Sequence, residues 1–403
     1  MPTIVPQEIV DEIIDASFVR SGKLKKSLSS FALCSHACSS RARVHLFNNI
    51  SFERPPSCPA KHVREWAEFH SIVARSPEVQ RAVRTVSVGD FGFFPKSQRG
   101  ATYTCIFHND PDERHELTND DLLALRKDKV AYFQSTVGLL AKLEAVTFNY
   151  SPQGSDDWRN LPRSLEIQSF CPQPSITTLH LRAITNFPVS LIKSILQLSQ
   201  LTSLGLENIH IGKRESKLWL AENIPLHSDL RSLKALSLVD NQIPGIQKFA
   251  NLVILSTSRN LTSLTWAQSC DIEFECASNL KHFSICLNPL EYSSTIQPAF
   301  RRIAYMKRPS VEILELFEPF ALTLEQFLNS SFPMEELDVL MQQEGFAKLR
   351  ELRILYRSFR PKASSDRLLL AFKTLFPMTM ARGIRITYGV RYSPRGTLYH
   401  FRG

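Results

Sequence analysis

From residue 80 onward the chain repeats one short pattern, apolar-x-x-apolar-x-apolar. It reads VRTVSV (83–88), LEAVTF (143–148), ITTLHL (176–181), LTSLGL (201–206), LKALSL (233–238), LTSLTW (261–266), LKHFSI (280–285), VEILEL (311–316) and LRELRI (349–354). The last two apolar positions of each unit alternate by two, which predicts a short strand with one face buried. Helical spacing appears between several units. VSLIKSILQLSQ sets Leu191, Ile192, Ile195, Leu196 and Leu198 on one broad face, and SSDRLLLAFKTLFP does the same with Leu368, Leu369, Phe372 and Leu375 before stopping at Pro377. Thr118 followed by Asp121 predicts the N-cap of a helix over 119–141.

Strand, helix and parallel strand recurring about every 30 residues is the requirement of an α/β solenoid, in which stacked units close a core that no single unit can bury. From residue 176 to 349 the starts lie 25, 32, 28, 19, 31 and 38 residues apart. The pattern resembles irregular leucine-rich repeats, whose period runs about 20–29 residues. The asparagine expected after the third apolar position is mostly missing, with Asn208 and Asn241 the nearest approximations. An ordinary α/β domain with Leu-rich strands is the alternative. Residues 89–120 break the regularity with turn formers and charge, so a surface loop or insertion is expected there.

Three helical stretches precede the repeats. Ile9, Val10, Ile13 and Ile14 fall on one face of the first, with Glu8, Asp11, Glu12 and Asp15 opposite. The second carries Leu24, Leu28 and Phe31; the third, SSRARVHLFNNI, carries Ala42, Leu46, Phe47 and Ile50. Three prolines in FERPPSCPAK (52–61) suggest a linker. The expected organisation is a helical module over 1–51, a linker over 52–68 and an α/β solenoid over 69–403. A module this small buries too little surface to stand alone. Its apolar stripe must cap the repeats or meet a second protein.

VPQEIVDEII followed by LKKSLSSFALCSHACSSRARVHLF resembles the F-box, in which Leu-Pro-x-Glu leads into three short helices. FHSIVARSPEVQRAVRTVSV and FKTLFPMTMARGIRITY are similar to the following segment and to the ends of such chains in fungi. Val5 replaces the usual Leu, and Cys38 stands where the family commonly has Trp, so the packing there is altered. The resemblance implies a substrate-recruiting receptor of an SCF-type ubiquitin ligase. Its helices would contact a Skp-family adaptor and, through it, a cullin, and its repeats would bind a protein substrate. Val5, Pro6, Ile9, Ile13, Leu28 and Leu33 are the candidates for adaptor contact. Such a receptor is not an enzyme: it supplies proximity. The rival expectation is a repeat scaffold without a ligase, its N-terminal helices serving as a cap.

Composition narrows these readings. The N-terminus has no basic residue before Arg20 and no long apolar run follows, so neither a secretory signal nor a membrane span is expected, and a cytoplasmic or nuclear location is. Eight scattered cysteines then read as reduced, and the sequons at Asn49, Asn149, Asn260 and Asn329 as chance matches. The net charge of +9 is concentrated late: from residue 341 there are 13 Lys and Arg against three acids. Arg350, Arg353, Arg357, Arg360, Lys362 and Arg367 form a candidate patch for an acidic partner. Tyr356 and Phe359 are too few aromatics for a nucleic-acid surface, so nucleic acid is not expected. No cofactor or metal is expected. Cys34, His36 and Cys38 are spaced too tightly for zinc, and Asp90-Phe91-Gly92 lacks the rest of a kinase. A catalytic triad assembled from distant residues stays open at this point.

Overall fold

The computed structural model describes residues 7, 10, 35–52, 59–89, 103–106, 114–149, 156–157, 175–211, 229–239, 241, 243, 246–267, 277–286, 297–305, 310–317, 334–356, 370, 373–391 and 398–401. The chain divides into two compact units, residues 1–187 and 188–403, each built of parallel strands and helices.

In the first unit, helix α1 (His36–Asn48) starts at Ser35, whose hydroxyl accepts the Cys38 amide at 3.1 Å. Strand β1 (Asn49–Phe52) follows directly, then α2 (Pro59–Arg75), α3 (Pro77–Ala82) and β2 (Thr85–Gly89). An antiparallel hairpin, β3 (Tyr103–Ile106) with β4 (Arg114–Leu117), lies inside the segment expected to be an insertion. Helix α4 (Asn119–Leu139) begins where the sequence placed it. Thr118 and Asp121 form a capping box, and the hydrogen bonds from Thr118 hold the Asp121 carboxyl below its ordinary range. After β5 (Ala145–Asn149) come β6 (Asp156–Asp157), β7 (Thr178–Arg182) and β8 (Ile184–Thr185). Strands β1, β2, β5 and β7 pair in parallel in that order.

Two expectations about the start of the chain change. The third helix was expected to carry Ile50, but it ends at Asn48. Residues 47–52 read Phe-Asn-Asn-Ile-Ser-Phe, which is the strand pattern itself, and Ile50 and Phe52 pair with Val86 and Val88. The expected 52–68 linker is also partly regular. Pro59 opens α2, a first-turn position where its missing N–H costs nothing. Trp66, Phe69 and Val73 then line the buried side of α2 at helical spacing. Phe52 stacks on Trp66 with ring centroids 4.0 Å apart, and Phe133 of α4 meets the same indole edge-on at 5.5 Å. An aromatic core thus spans the expected boundary.

The second unit runs α5 (Val189–Leu196), β9 (Ser203–Glu207), β10 (Ala235–Val239), α6 (Ile246–Thr257), β11 (Ser263–Ala267) and β12 (His282–Cys286). It continues with α7 (Gln297–Ala304), β13 (Ile313–Phe317), α8 (Met334–Leu340), a 3₁₀ turn (Glu344–Phe346), β14 (Glu351–Tyr356), α9 (Pro377–Ala381), β15 (Arg385–Arg391) and β16 (Leu398–Phe401). Strands β9 to β15 are parallel in sequence order, and β16 closes the edge antiparallel to β15.

All nine sequence patterns form strands, each beginning two residues after its first apolar position. That first residue is buried in every case. Leu143, Leu201, Leu233, Leu280 and Leu349 each donate their amide to the carbonyl three residues earlier, so a tight turn drives the side chain inward. The next residue's carbonyl then takes two amides from the following unit. Lys234 accepts from Thr262 and Ser263, Thr262 from Lys281 and His282, and Lys281 from Glu312 and Ile313.

Asn241 is buried and satisfies two backbone groups, donating to the Leu206 carbonyl and accepting the Ile209 amide, each at 2.9 Å. At the turns, Asn260 Nδ2 donates to the Arg231 carbonyl and Asn279 Nδ2 to that of Arg259, each at 2.6 Å.

Candidate functional site: a charged ladder on the polar face of the second unit

A strand sends alternate side chains to opposite faces. At the described positions one face of β9–β15 is apolar and buried, from Leu204 and Leu206 to Leu352, Ile354 and Ile386. The other face follows from the register. One row across it reads Ser203, Ala235, Ser263, His282, Ile313, Glu351 and Arg385; the next reads Gly205, Ser237, Thr265, Ser284, Glu315, Arg353 and Thr387. Over β9–β11 these positions are small and uncharged. Over β12–β15 they carry the charge.

Glu351 is the centre of the charged half. Its Oε2 accepts from Arg353 Nη2 at 3.0 Å and faces Arg385 Nη2 at 3.1 Å, while Thr387 donates to Oε1 at 3.1 Å. Burial alone pushes the Glu351 carboxyl up, but the hydrogen bond and charge of Arg353, with the bonds from Arg385 and Thr387, hold it below its ordinary value. Glu315, one strand away, accepts from the buried Ser284 hydroxyl at 2.8 Å and faces His282 Nε2 at 3.6 Å. On the rim where the strands begin, Glu312 is shared by Arg350 at 2.8 Å and Lys281 at 3.8 Å.

Ser263, His282 and Glu315 follow one another in the order of a nucleophilic triad. Ser263 Oγ lies 3.5 Å from His282 Nδ1, and His282 Nε2 lies 3.6 Å from the carboxylate. Both contacts are at the long end of hydrogen-bond range. With Glu351 and its partners they form a ladder of charged contacts across β12–β15. Among the described residues no group of three or more His, Cys, Asp or Glu is placed to hold a metal ion, and no helix is long and apolar enough to cross a membrane.

Of the basic residues singled out in the sequence, Arg350 and Arg353 are described; Arg357, Arg360, Lys362 and Arg367 lie outside the described residues. Arg350 and Arg353 are three apart on extended chain and bind different carboxylates, Glu312 and Glu351. The cation that joins Arg353 is instead Arg385, from the neighbouring strand. Sequence proximity missed Arg385, Glu351, Glu315 and His282. The spacing of the patterns would have found them, because residues at equal offsets from the first apolar position become neighbours across strands.

The six adaptor-contact candidates, Val5, Pro6, Ile9, Ile13, Leu28 and Leu33, lie outside the described residues. Two of their neighbours do not: Gln7 and Val10 are helical, with Gln7 exposed and Val10 half-buried. Val10 and Leu46 pack against buried Cys38. The other side of α1 rests on α3, with Arg43 and Glu78 paired at 3.2 Å on the surface. Compared with known families and with curated proteins, the chain matches no family model and no individual sequence.

Proposed function

We propose that this chain is a substrate-recruiting receptor of an SCF-type ubiquitin ligase. An F-box-like N-terminal module would dock on a Skp-family adaptor and through it on a cullin, while an irregular leucine-rich-repeat-like solenoid holds a protein substrate. The observation that carries the receptor half is the parallel strand array: one face is spent on the core, and the other sets polar and charged side chains in ordered rows beside a buried Val239–Phe317–Leu355 cluster, with the cations of Arg350 and Arg385 reaching solvent. A protein segment can be read by such rows, and no chemistry on the chain itself is needed. The ligase half is supported by the run VPQEIVDEII and the helices after it. Catalysis belongs to the partner conjugating machinery, and the chain contributes proximity.

A second reading, a scaffold whose N-terminal helices are a cap, is favoured by the docking of α1 on α3 and of Val10 on Cys38. One experiment separates the two. Purified wild type and a Pro6→Ala, Ile9→Asp double variant are used to capture the adaptor and the cullin. The ligase reading expects capture by wild type and loss of both partners in the variant, with unchanged unfolding of residues 188–403. Wild type that captures neither partner would refute it and leave the scaffold.

A further inference from the structure

We infer that the β12–β15 half of the polar face binds a carboxylate-rich peptide segment of the partner protein. The inference rests on reading that face as protein-binding, and it adds the chemistry of what is bound. Twice, once on the rim before β13 and once on β14, a single carboxylate is shared by two cations: Glu312 by Lys281 and Arg350, and Glu351 by Arg353 and Arg385. In both cases the acid is the covered member. The Glu312 and Glu351 side chains are 26% and 8% exposed, whereas Lys281, Arg350 and Arg385 are 64%, 69% and 68% exposed. The remaining acid of the ladder, Glu315, is only 10% exposed and is occupied by Ser284 and His282. What solvent meets is therefore guanidinium and ammonium.

Arg385 spends one amino group on Glu351, which leaves further donors of its planar fork for a partner carboxylate. Arg353 Nε is buried and has no hydrogen-bond partner among the described residues. That nitrogen is beyond a partner's reach, so contact with a partner carboxylate falls to the exposed guanidiniums of Arg350 and Arg385. The small residues beside the ladder, among them Ser237, Ser263 and Thr265, give an extended chain room to cross. A nucleic-acid strand fits less well: its continuous run of phosphates would meet the three embedded carboxylates, while a peptide can space its acids to the cations.

The probe is a dye-labelled decapeptide of alternating Glu and Gly, titrated with the full chain and followed by fluorescence anisotropy. Wild type should bind it and weaken as salt rises. Arg385→Gln should lower affinity about tenfold, the loss of one charge-assisted contact. Arg64→Gln, which removes an exposed charge from α2, should match wild type. Far-ultraviolet circular dichroism of Arg385→Gln reports that the sheet is intact. Absence of binding by wild type, equal weakening by both variants, or binding of an oligonucleotide in preference to the peptide overturns the inference. Adaptor capture from the same preparation keeps the two proposals apart: capture without peptide binding faults this inference alone, and peptide binding without capture faults only the ligase.

Discussion

Replacing Glu351 by glutamine removes the charge that two guanidiniums share and keeps the side chain's shape. Three contacts are affected. The Arg385 partner is largely exposed, so its share is about 0–1 kcal/mol. The Arg353 pair is mostly covered, and a hydrogen bond to a charged group there is worth about 1.5–3 kcal/mol. The Thr387 hydroxyl can still donate to the amide oxygen, so little is lost at that contact. A total near 2–3 kcal/mol follows. For a unit of the size of residues 188–403 this corresponds to roughly 4–12 °C in Tm.

The pH dependence has a definite sign. Glu351 titrates below its ordinary value in the folded chain, so its contribution is fully present above the unfolded value, about 4.3. It disappears as pH falls through the lower folded value. Urea unfolding of wild type and Glu351→Gln at about pH 7, 5 and 3.5, followed by circular dichroism, should give a gap that is equal at the first two and narrower at the third. Hydrogen exchange across β14 and β15 locates the change. An unchanged midpoint at pH 7, or a gap that is constant down to pH 3.5, would refute the reasoning.

Three further substitutions test how the second unit is tied together. Asp338 is buried in α8 and accepts from the Met378 amide at 2.8 Å, the Thr379 amide at 2.9 Å and the Thr379 hydroxyl at 2.6 Å, thereby capping α9 from 40 residues away. Asp338→Ala should cost about 3 kcal/mol, with exchange of the 378 and 379 amides accelerated first. Asn241→Ala strands the Ile209 amide and the Leu206 carbonyl, and urea titration should show a loss of about 2–4 kcal/mol. At Gly345 an added Cβ would overlap the Ile303 carbonyl group, so Gly345→Ala must move backbone. It should lower Tm measurably, by at least the ~1–3 kcal/mol of an overpacked core, whereas Gly138→Ala, which meets nothing within 4 Å, should not lower it.

The strands were legible because burial on one face leaves a period of two, and the preceding tight turn adds a third buried position at fixed distance. Leu233, Leu236 and Leu238 show all three in one unit. The pattern failed where another local rule took over. Before β15 the first apolar position is Gly383, with φ +75° at the end of α9, and Ile384 moves into the buried place instead. At β1 the pattern was present but was absorbed into a helix, since Phe47 and Ile50 also suit helical spacing. The hairpin β3–β4 was hidden because Tyr103 pairs with Leu117 and Cys105 with His115, too mixed a set to mark a buried face.

The charged ladder was less legible for a different reason. Linear charge runs measure neighbours in the chain, whereas a parallel sheet measures neighbours at equal offsets from successive turns. Counted along the chain, residues 301–340 are net acidic and residues after 341 strongly basic, which suggests two opposed surfaces. Counted across the strands, the two sets interleave: Glu312 and Glu315 come from the acidic stretch, and Arg350, Arg353 and Arg385 from the basic one. Arg350 reaches back across the sheet to Glu312, while Arg353 and Arg385 gather on Glu351. What survives at the surface is set by which side chains are long enough to reach solvent. Arginine and lysine reach farther than glutamate from the same row, so a nearly balanced ladder ends with a basic rim. That asymmetry of reach, more than the total of +9, is what gives this face a sign.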